Sequence, residues 1–224
     1  MDSIQVIATG DGSHSLLNTA LQETYHSRHG AVQESSHVFI DHGLRVVQAI
    51  QPRKEIRLLE VGFGTGLNAL LTFMESQRNH LPVVYESWEL HPLAPEIVQQ
   101  LNYGAMLGDP MAFEAIHQVP WEINTALSPE FVLFKHKGNV LADEFKGMFD
   151  LIYYDAFAPS KQPELWSLEM LKKVTDQLGP GGVWVTYCAK GQVKRDLASL
   201  GLMVETLPGP PGKKEMVRAT RRID

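Results

Sequence analysis

The sequence predicts a doubly wound α/β domain with a mostly parallel sheet. Near-continuous apolar runs, each short enough for one strand, alternate with segments of helical length, as expected for a parallel sheet covered by helices on both faces. A glycine-rich turn joins the first of these strands to the first helix. The chain has 224 residues, of which 44% are apolar, and this size suits one well-buried domain over residues 1–224.

Five apolar runs are the predicted strands. They are IRLLEV (56–61), VVYESWEL (83–90), FVLF (131–134), FDLIYY (149–154) and VWVTYCA (183–189). The predicted helices between them are LNALLTFMESQR, PEIVQQLNY and PELWSLEMLKKVTDQL. The glycine and proline residues of LGPGG (178–182) are typical of a helix stop, and we expect them to end the third helix just before the fifth strand.

Beyond the fifth strand the sequence predicts one helix and two further strands. VKRDLASLGL predicts a helix that ends at Gly201, and MVETL and EMVRATR predict strands that pair antiparallel around the PGPPGKK turn. Two regions fall outside the alternation of strands and helices. Residues 1–50 are a polar lead-in expected to form a lid, and residues 104–130 are an insertion before the third strand.

Composition and charge restrict the class of protein. No apolar run is long enough for a membrane span and the N-terminus has no signal-like core, so a cytoplasmic protein is expected. Cys188 is the single cysteine, cannot form an internal disulfide, and is expected to be a small buried side chain. The formal net charge is −6, yet eight basic residues and four acidic ones lie from Lys190 onward. An anionic partner is therefore expected at the C-terminal end.

The glycine turn lies in LLEVGFGTGLNALL, with glycines at 62, 64 and 66. Glycines at this position let the backbone approach a ligand, and the helix that follows offers free N–H groups to it. A dinucleotide-binding fingerprint would need a third glycine where Leu67 stands, and a P-loop would need a Gly-Lys-Ser/Thr sequence that does not follow. A tight turn with structural glycines is the alternative to a binding loop.

The form E-x-G-x-G-x-G resembles the cofactor loop of S-adenosylmethionine-dependent methyltransferases. This resemblance implies that Glu60 and the loop hold the amino acid part of the cofactor, and that Glu89, at the end of the second strand, binds the ribose hydroxyls. The residue that reads the adenine is left open between Asn139 and Asp143, since the Asn139 side-chain oxygen can accept from the adenine amino group. The implied cofactor residues are Glu60, Gly62, Phe63, Gly64, Thr65, Gly66, Asn68, Glu89 and Asn139.

Asp155 ends the fourth strand, in YYDAFAPSKQPELW. Because the carboxyl ends of parallel strands meet at one edge of a sheet, Glu60, Glu89 and Asp155 are expected to converge. DAFAP resembles a lengthened form of the Asp/Asn-Pro-Pro-Tyr/Phe motif of methyltransferases that act on nitrogen. A carboxylate there can accept a hydrogen bond from an amine, orient its lone pair and take its proton. The alternative is that Asp155 only caps the strand.

Longer blocks carry a more specific resemblance. YHSRHGAVQESSHVFI, LLEVGFGTGLNALL, YYDAFAPSKQPELW, VTYCAKGQVKRDL and PGPPGKKEMVRA, which span about Tyr25 to Ala219, together resemble the MnmC methyltransferase family, especially its stand-alone form, often called MnmD. The resemblance implies a Rossmann-like class I fold and methylation of 5-aminomethyl-2-thiouridine at the wobble position of tRNA. It also implies that Asp155 faces the reacting amine. The bifunctional members carry a flavin-dependent oxidase domain that this sequence does not include, so no flavin is expected.

The remaining candidates lie around the expected substrate. Tyr25 or His26 is expected to stack on a base in a polar lid, with surface-loop polarity as the alternative; a zinc site in this histidine-rich segment lacks a recognised ligand spacing. The wall and rim of the nucleoside pocket are assigned to Phe157, Pro159, Lys161 and Gln162. Phosphate contacts are assigned to Lys190, Lys194, Lys213 and Lys214. Trp166 is expected to pack in the core.

Three other functions fit parts of the sequence. The chain would also suit a methyltransferase for a small amine or a protein side chain, or an aminopropyltransferase with acids at similar strand ends. A non-catalytic tRNA-binding protein that keeps the cofactor fold is the third. The basic C-terminal end favours RNA over a polyamine, and the intact carboxylates Glu60, Glu89 and Asp155 favour an enzyme.

Overall fold

The structure is a computed structural model that describes residues 4–50, 52 and 55–223. Its N-terminal part is a small antiparallel sheet followed by a helical run. The sheet contains β1 (Ile4–Ala8), β2 (His14–Asn18) and β3 (Glu23–Thr24), and the helical run contains α1 (Ala31–Ser35), a π-helix (Ser36–Leu44) and α2 (Arg45–Ile50). The sequence did not predict this small sheet, because its strands are short and only partly buried.

The main sheet has eight strands. They are β4 (Ile56–Val61), β5 (Val83–Glu89), β6 (Thr125–Ser128), β7 (Phe131–Lys137), β8 (Phe149–Tyr154), β9 (Leu178–Thr186), β10 (Met203–Pro208) and β11 (Glu215–Thr220). Their order is β10-β11-β9-β8-β4-β5-β7-β6. The five strands from β9 to β7 are parallel, while β11, β10 and β6 run antiparallel to their neighbours. The predicted Rossmann-like sheet with an antiparallel C-terminal strand is confirmed.

The remaining helices cover both faces of this sheet. They are α3 (Leu67–Asn79), α4 (Pro95–Val98), α5 (Tyr103–Leu107), α6 (Pro110–Gln118), α7 (Leu168–Thr175) and α8 (Gly191–Ser199), with a 3-10 helix at Pro163–Trp166. In the described part of the chain no helix is long and apolar enough to cross a membrane.

Three predicted boundaries were wrong. LGPGG is not a helix stop, because β9 begins at Leu178 and contains the whole stretch. The register of β9 against β8 shifts there, as glycine-rich strand segments allow. Ser167 caps α7 by accepting a hydrogen bond from the Met170 N–H, which divides the predicted long helix in two. PEIVQQLNY forms only the short α4 before the chain turns.

Two layers of buried side chains hold the sheet between its helices. On β8 the neighbouring residues Tyr153 and Tyr154 point to opposite faces, as strand geometry requires, and both are 0% exposed. Gly43 of the π-helix lies so close to the sheet that an added methyl group would approach Tyr153 to 3.1 Å. The lead-in is therefore part of the core, and the carboxyl ends of β4, β5 and β8 are held rigidly at one edge.

Candidate active site

A cleft of about 260 Å³ opens at the carboxyl ends of β4, β5 and β8. It brings together the glycine loop, Glu89 and Asp155, with Glu60 buried directly beneath. The convergence of the three carboxylates that the strand order predicted is thus present in the structure. Its position at the strand ends, next to a glycine loop, is where ligands bind in open α/β sheets.

The backbone of the glycine loop requires glycine at two positions. Gly62 has φ +94°, and a methyl group there would lie 2.9 Å from the Asp155 carbonyl oxygen. Gly66 has φ +72°, and a methyl group there would lie 2.9 Å from His117 Nε2. Residues with a Cβ disfavour such φ values and would also collide here. These glycines let the chain pass close to Asp155 on one side and to α6 on the other.

Asn68, in the first turn of α3, joins two of the carboxylates. Its Nδ2 donates to Glu60 Oε1 at 3.0 Å and to Asp155 Oδ2 at 2.8 Å. Ser87 Oγ donates to the other oxygen of Glu60 at 2.7 Å. The four side chains, from β4, β5, α3 and the end of β8, therefore form one hydrogen-bonded unit, in which the orientation of Asp155 is tied to the floor of the cleft.

Burial raises the pKa of two of these carboxyl groups toward or above neutral pH. Burial raises the pKa of Glu60 to about 8, although its hydrogen bond from Ser87 acts in the opposite direction. Burial also raises the pKa of Asp155 to about 7, with a further contribution from the charge of Glu34. Since a carboxyl group that titrates near neutral pH can both accept and release a proton, Asp155 has the property required of a general base.

Glu89 and Asn139 occupy the opposite half of the cleft. Glu89 accepts hydrogen bonds from the N–H of Gly64 at 3.0 Å and from the N–H of His91 at 2.8 Å, which fixes its carboxylate beside the loop. Asn139 lines the cleft, and its Oδ1 accepts from the Leu141 N–H at 3.0 Å. Asp143 does not line the cleft, so Asn139 is the better placed of the two candidates for reading an adenine.

The residues of this cleft fit S-adenosylmethionine. Among the described residues, Asn68 Oδ1 is buried without a hydrogen-bond partner, and such an acceptor suits the ammonium group of an amino acid. The glycine loop leaves room for a ligand backbone, and the Glu89 oxygens can accept further hydrogen bonds from hydroxyl groups. The loop, Asn68 and Glu89 would hold the amino acid and ribose parts.

The two lid candidates have different surroundings. Tyr25 lines the cleft, packs edge-on against Phe157 with ring centres 4.9 Å apart, and lies over Gly64. His26 is only 8% exposed, and its Nε2 lies 2.7 Å from Thr65 Oγ1, so its ring supports the glycine loop and has little surface left for stacking on a base. Burial lowers the pKa of His26 to about 4, which keeps the ring neutral. Both residues line the cleft, and Tyr25 is the more exposed of the two.

The loop after Asp155 forms one wall of the cleft. Phe157 and Gln162 line it, and the Gln162 Oε1 accepts from the Phe157 N–H at 3.1 Å; their contact with a nucleoside stays a prediction. Pro159 and Lys161 lie outside the lining. The lining also includes residues that the sequence did not single out: Glu164, Leu165 and Tyr187. Trp166 is 6% exposed and donates from Nε1 to the Phe157 carbonyl at 2.7 Å, so its predicted core position also anchors this wall.

Two of the four lysines assigned to phosphate are engaged within the protein. Lys194 Nζ lies 3.0 Å from Glu215 Oε2, and Lys213 Nζ forms an ion pair with Glu34 and lies over the ring of Tyr187. Lys190 and Lys214 are exposed. Lys194 and Lys213 are thus each paired with a carboxylate, and the assignment of all four lysines to phosphate contacts stays a prediction.

The insertion before β7 supports the glycine loop from behind. His117 of α6 has Nε2 3.1 Å from the Thr65 carbonyl oxygen, and Lys135 is 1% exposed and donates to the carbonyls of Ile116 and His117 at 3.0 Å each. These contacts have no local signal in the sequence, since the partners lie on separate elements. In the described residues no group of three or more His, Cys, Asp or Glu side chains is placed to hold a metal ion.

Comparison with known proteins shows what the chain is similar to. Residues 131–222 match a family described as S-adenosyl-L-methionine-dependent methyltransferase. The crystal structure of MNMC2 from Aquifex aeolicus superposes with a TM-score of 0.81 at 26% identity, covering 100% of this chain and 72% of that one. Both matches relate the chain to S-adenosylmethionine-dependent methyltransferases of the MnmC type.

Curated relatives are similar along most of this chain. The bifunctional protein MnmC of Aromatoleum aromaticum, named for tRNA 5-methylaminomethyl-2-thiouridine biosynthesis, is 29% identical in an alignment of 239 positions, gaps included, that covers 99% of this chain and 36% of that protein. The corresponding protein of Cupriavidus necator is 29% identical in an alignment of 216 positions, gaps included, that covers 89% of this chain and 32% of that protein. The chain thus spans about a third of the length of these relatives. The CurJ carbon methyltransferase, with a TM-score of 0.52 at 16% identity, shares the fold alone.

Proposed function

We propose that this MnmC-like methyltransferase methylates the 5-aminomethyl group of the wobble (2-thio)uridine in tRNA, giving the 5-methylaminomethyl product. The observation that carries the proposal is the position of Asp155, which lies in the same cleft as the glycine loop and shares Asn68 with Glu60. A carboxylate beside a methyl donor site suits an amine acceptor, because the amine must be oriented and must lose a proton.

The names of the relatives support the choice of substrate. The curated relatives are named for tRNA 5-methylaminomethyl-2-thiouridine biosynthesis, and 5-methylaminomethyl is the group that one methyl transfer to a primary 5-aminomethyl amine would produce. Their alignment covers nearly all of this chain. We therefore assign the methyl-transfer step to the region that they share with it, with the cytoplasm as the expected compartment.

Each residue of the cleft has a role in this reaction. S-adenosylmethionine, when bound, supplies an electrophilic methyl group on a sulfonium. The loop, Asn68 and Glu89 position it, and Asp155 accepts a hydrogen bond from the acceptor amine and takes one of its protons. Tyr25 and Phe157 close the outer part of the cleft, where they would contact the uridine ring and keep water from the amine.

In this proposal few positive charges are available to contact the tRNA backbone. Lys190 and Lys214 are the exposed lysines available to an anticodon backbone, and the whole chain carries a net charge of −6. Each phosphate contact contributes about one unit to the dependence of log affinity on log salt. Binding with a shallow salt dependence is expected.

The decisive experiment supplies labelled S-adenosylmethionine and tRNA that carries the primary amine at the wobble uridine. Nucleoside digestion and mass spectrometry should locate the added methyl group on that amine. Asp155→Asn should reduce the rate by about 100-fold or more, in the range that general-base removal costs. Asp143→Asn is the matched control, since Asp143 lies outside the cleft. Cofactor binding without methyl transfer to the amine would refute the proposal and favour a non-catalytic tRNA-binding protein or another acceptor.

A further inference from the structure

An ion pair joins the two ends of the chain beside the cleft. Glu34, which is 5% exposed, accepts from the Ser27 N–H at 2.6 Å and from the Lys213 ammonium at 2.5 Å. The ammonium also lies 3.9 Å from the centre of the Tyr187 ring, within the range of a cation–π contact. The Lys213 charge is thus held at a fixed place between a buried carboxylate and an aromatic ring.

Tyr187 connects this ion pair to the acceptor side of the cleft. Its ring lines the cleft together with Asp155, and its hydroxyl donates to the Ala156 carbonyl at 2.8 Å. The charge of Glu34 raises the pKa of Asp155, while the charge of Lys213 lowers it. Both members of the pair therefore act electrostatically on the space in which a substrate amine would meet Asp155.

A primary amine has an ordinary pKa near that of lysine, about 10.4, so it is mostly protonated at neutral pH. The protonated form has no lone pair and cannot attack a methyl group. A nearby cation disfavours the protonated form and a nearby anion favours it. An enzyme that methylates an amine gains from a fixed cation at the edge of the acceptor site.

We propose that the Glu34–Lys213 pair sets the protonation state of the acceptor amine: Lys213, held on Tyr187, favours the neutral amine beside Asp155, and Glu34 fixes the lysine while limiting its effect. In this step one proton moves from the ammonium nitrogen to an Asp155 carboxylate oxygen, and the lone pair stays on nitrogen. Both are positioning residues. The inference rests on the proposed methylation of an amine.

Other titratable groups lie around the same space on neighbouring elements. The groups that interact with Tyr187, His26 or Cys188 there include Asp11, Glu23 and Lys190. Glu60 also acts on the site through its interaction with Asp155. Because these groups contribute to the pH profile of every variant alike, the test compares variants.

The test is the pH profile of single-turnover methyl transfer at saturating tRNA that carries the primary amine. The rising limb of this profile reports loss of a proton from the amine and Asp155 together. Lys213→Met should move the limb to higher pH, and Glu34→Gln should move it to lower pH, each on the order of one pH unit. Lys213→Arg keeps the charge and should leave the limb in place. Lys172→Met, which removes the same charge from an exposed lysine outside the cleft, should also leave it in place.

Opposite shifts distinguish this role from that of a simple clamp between the chain ends. A clamp would lower the rate in both variants with the limb unmoved or moved in one direction, and that result would overturn the inference. If Glu34→Gln does not fold, the pH profiles of Lys213→Met and Lys213→Arg are compared instead. Rising limbs at the same pH in these two variants would overturn the inference. Wild-type protein that transfers no methyl group to the amine would remove the proposed function, and the inference with it. Wild-type transfer with coincident limbs would remove the inference alone.

Discussion

Replacing Glu60 by glutamine is expected to stabilise the protein above neutral pH. Glu60 is 0% exposed, and burial raises its pKa from 4.5 to about 8. In the unfolded chain the carboxyl group is ionised above pH 4.5, whereas in the folded chain it keeps its proton up to about pH 8. The folded state therefore binds more protons between these values, and stability must fall as the pH rises through this window.

The size of the effect follows from the width of the window. Each pH unit between the two pKa values costs about 1.4 kcal/mol of unfolding free energy, so the range from pH 5 to pH 8 costs about 4 kcal/mol. For a chain of this size, that corresponds to roughly 10 °C in melting temperature. Glutamine carries no charge, can accept from Asn68 Nδ2 as Glu60 does, and can donate to Ser87 Oγ. The variant should lack this pH dependence.

The assay is urea unfolding of both proteins at several pH values from 5 to 8, analysed as the difference in stability between them. Other titrating groups act in both proteins and largely cancel in the difference. Glu75→Gln is the matched control. Glu75 is 7% exposed, but the hydrogen bond from Arg45 lowers its pKa below 4.5. The difference in stability between wild type and Glu75→Gln should therefore not change between pH 5 and pH 8. Parallel curves for wild type and Glu60→Gln would refute the reasoning.

Three further predictions concern ligands. Affinity for S-adenosylmethionine should rise with pH between about 6 and 8 in the wild type, because the cofactor ammonium favours ionised Glu60. In Glu60→Gln the affinity should not depend on pH in this range. Titration calorimetry at several pH values measures both affinities. Gly66→Ala should weaken cofactor binding by at least about tenfold, since it adds a collision to an unfavourable φ. Gly108→Ala has a similar φ of +81° with no atom within 4 Å, so it should cost stability alone, and equal cofactor affinities in the two variants would contradict the collision argument. Substituting Lys190 or Lys214 by methionine should each reduce the salt slope of tRNA binding by about one, and an unchanged slope would exclude that phosphate contact.

The sequence predicted the parts of the fold that are encoded locally. Apolar runs mark the five parallel strands, and an acidic residue at the end of a run, such as Glu89 or Asp155, falls at the sheet edge once the strands are parallel. The N-terminal sheet was missed because distant partners stabilise it, among them Asn102, whose Oδ1 accepts from the His14 N–H across 88 positions. Tyr187 was missed for the same reason, since it reaches the cleft only because β9 lies beside β8.

At the basic C-terminal end, the number of charged residues does not show which cations are available to a ligand. Counting charges along the sequence assigned an anionic partner to this end, but three of its cations, Lys194, Lys213 and Arg218, form ion pairs with carboxylates. The pairs of Lys194 and Arg218 lie within the C-terminal end itself, and the Lys213 pair reaches back across 179 positions to Glu34. Pairing decides how much of a cation's field reaches a ligand. If the Glu34–Lys213 pair acts on the acceptor amine as proposed, Lys213 belongs to the acceptor site rather than to a contact with the tRNA backbone.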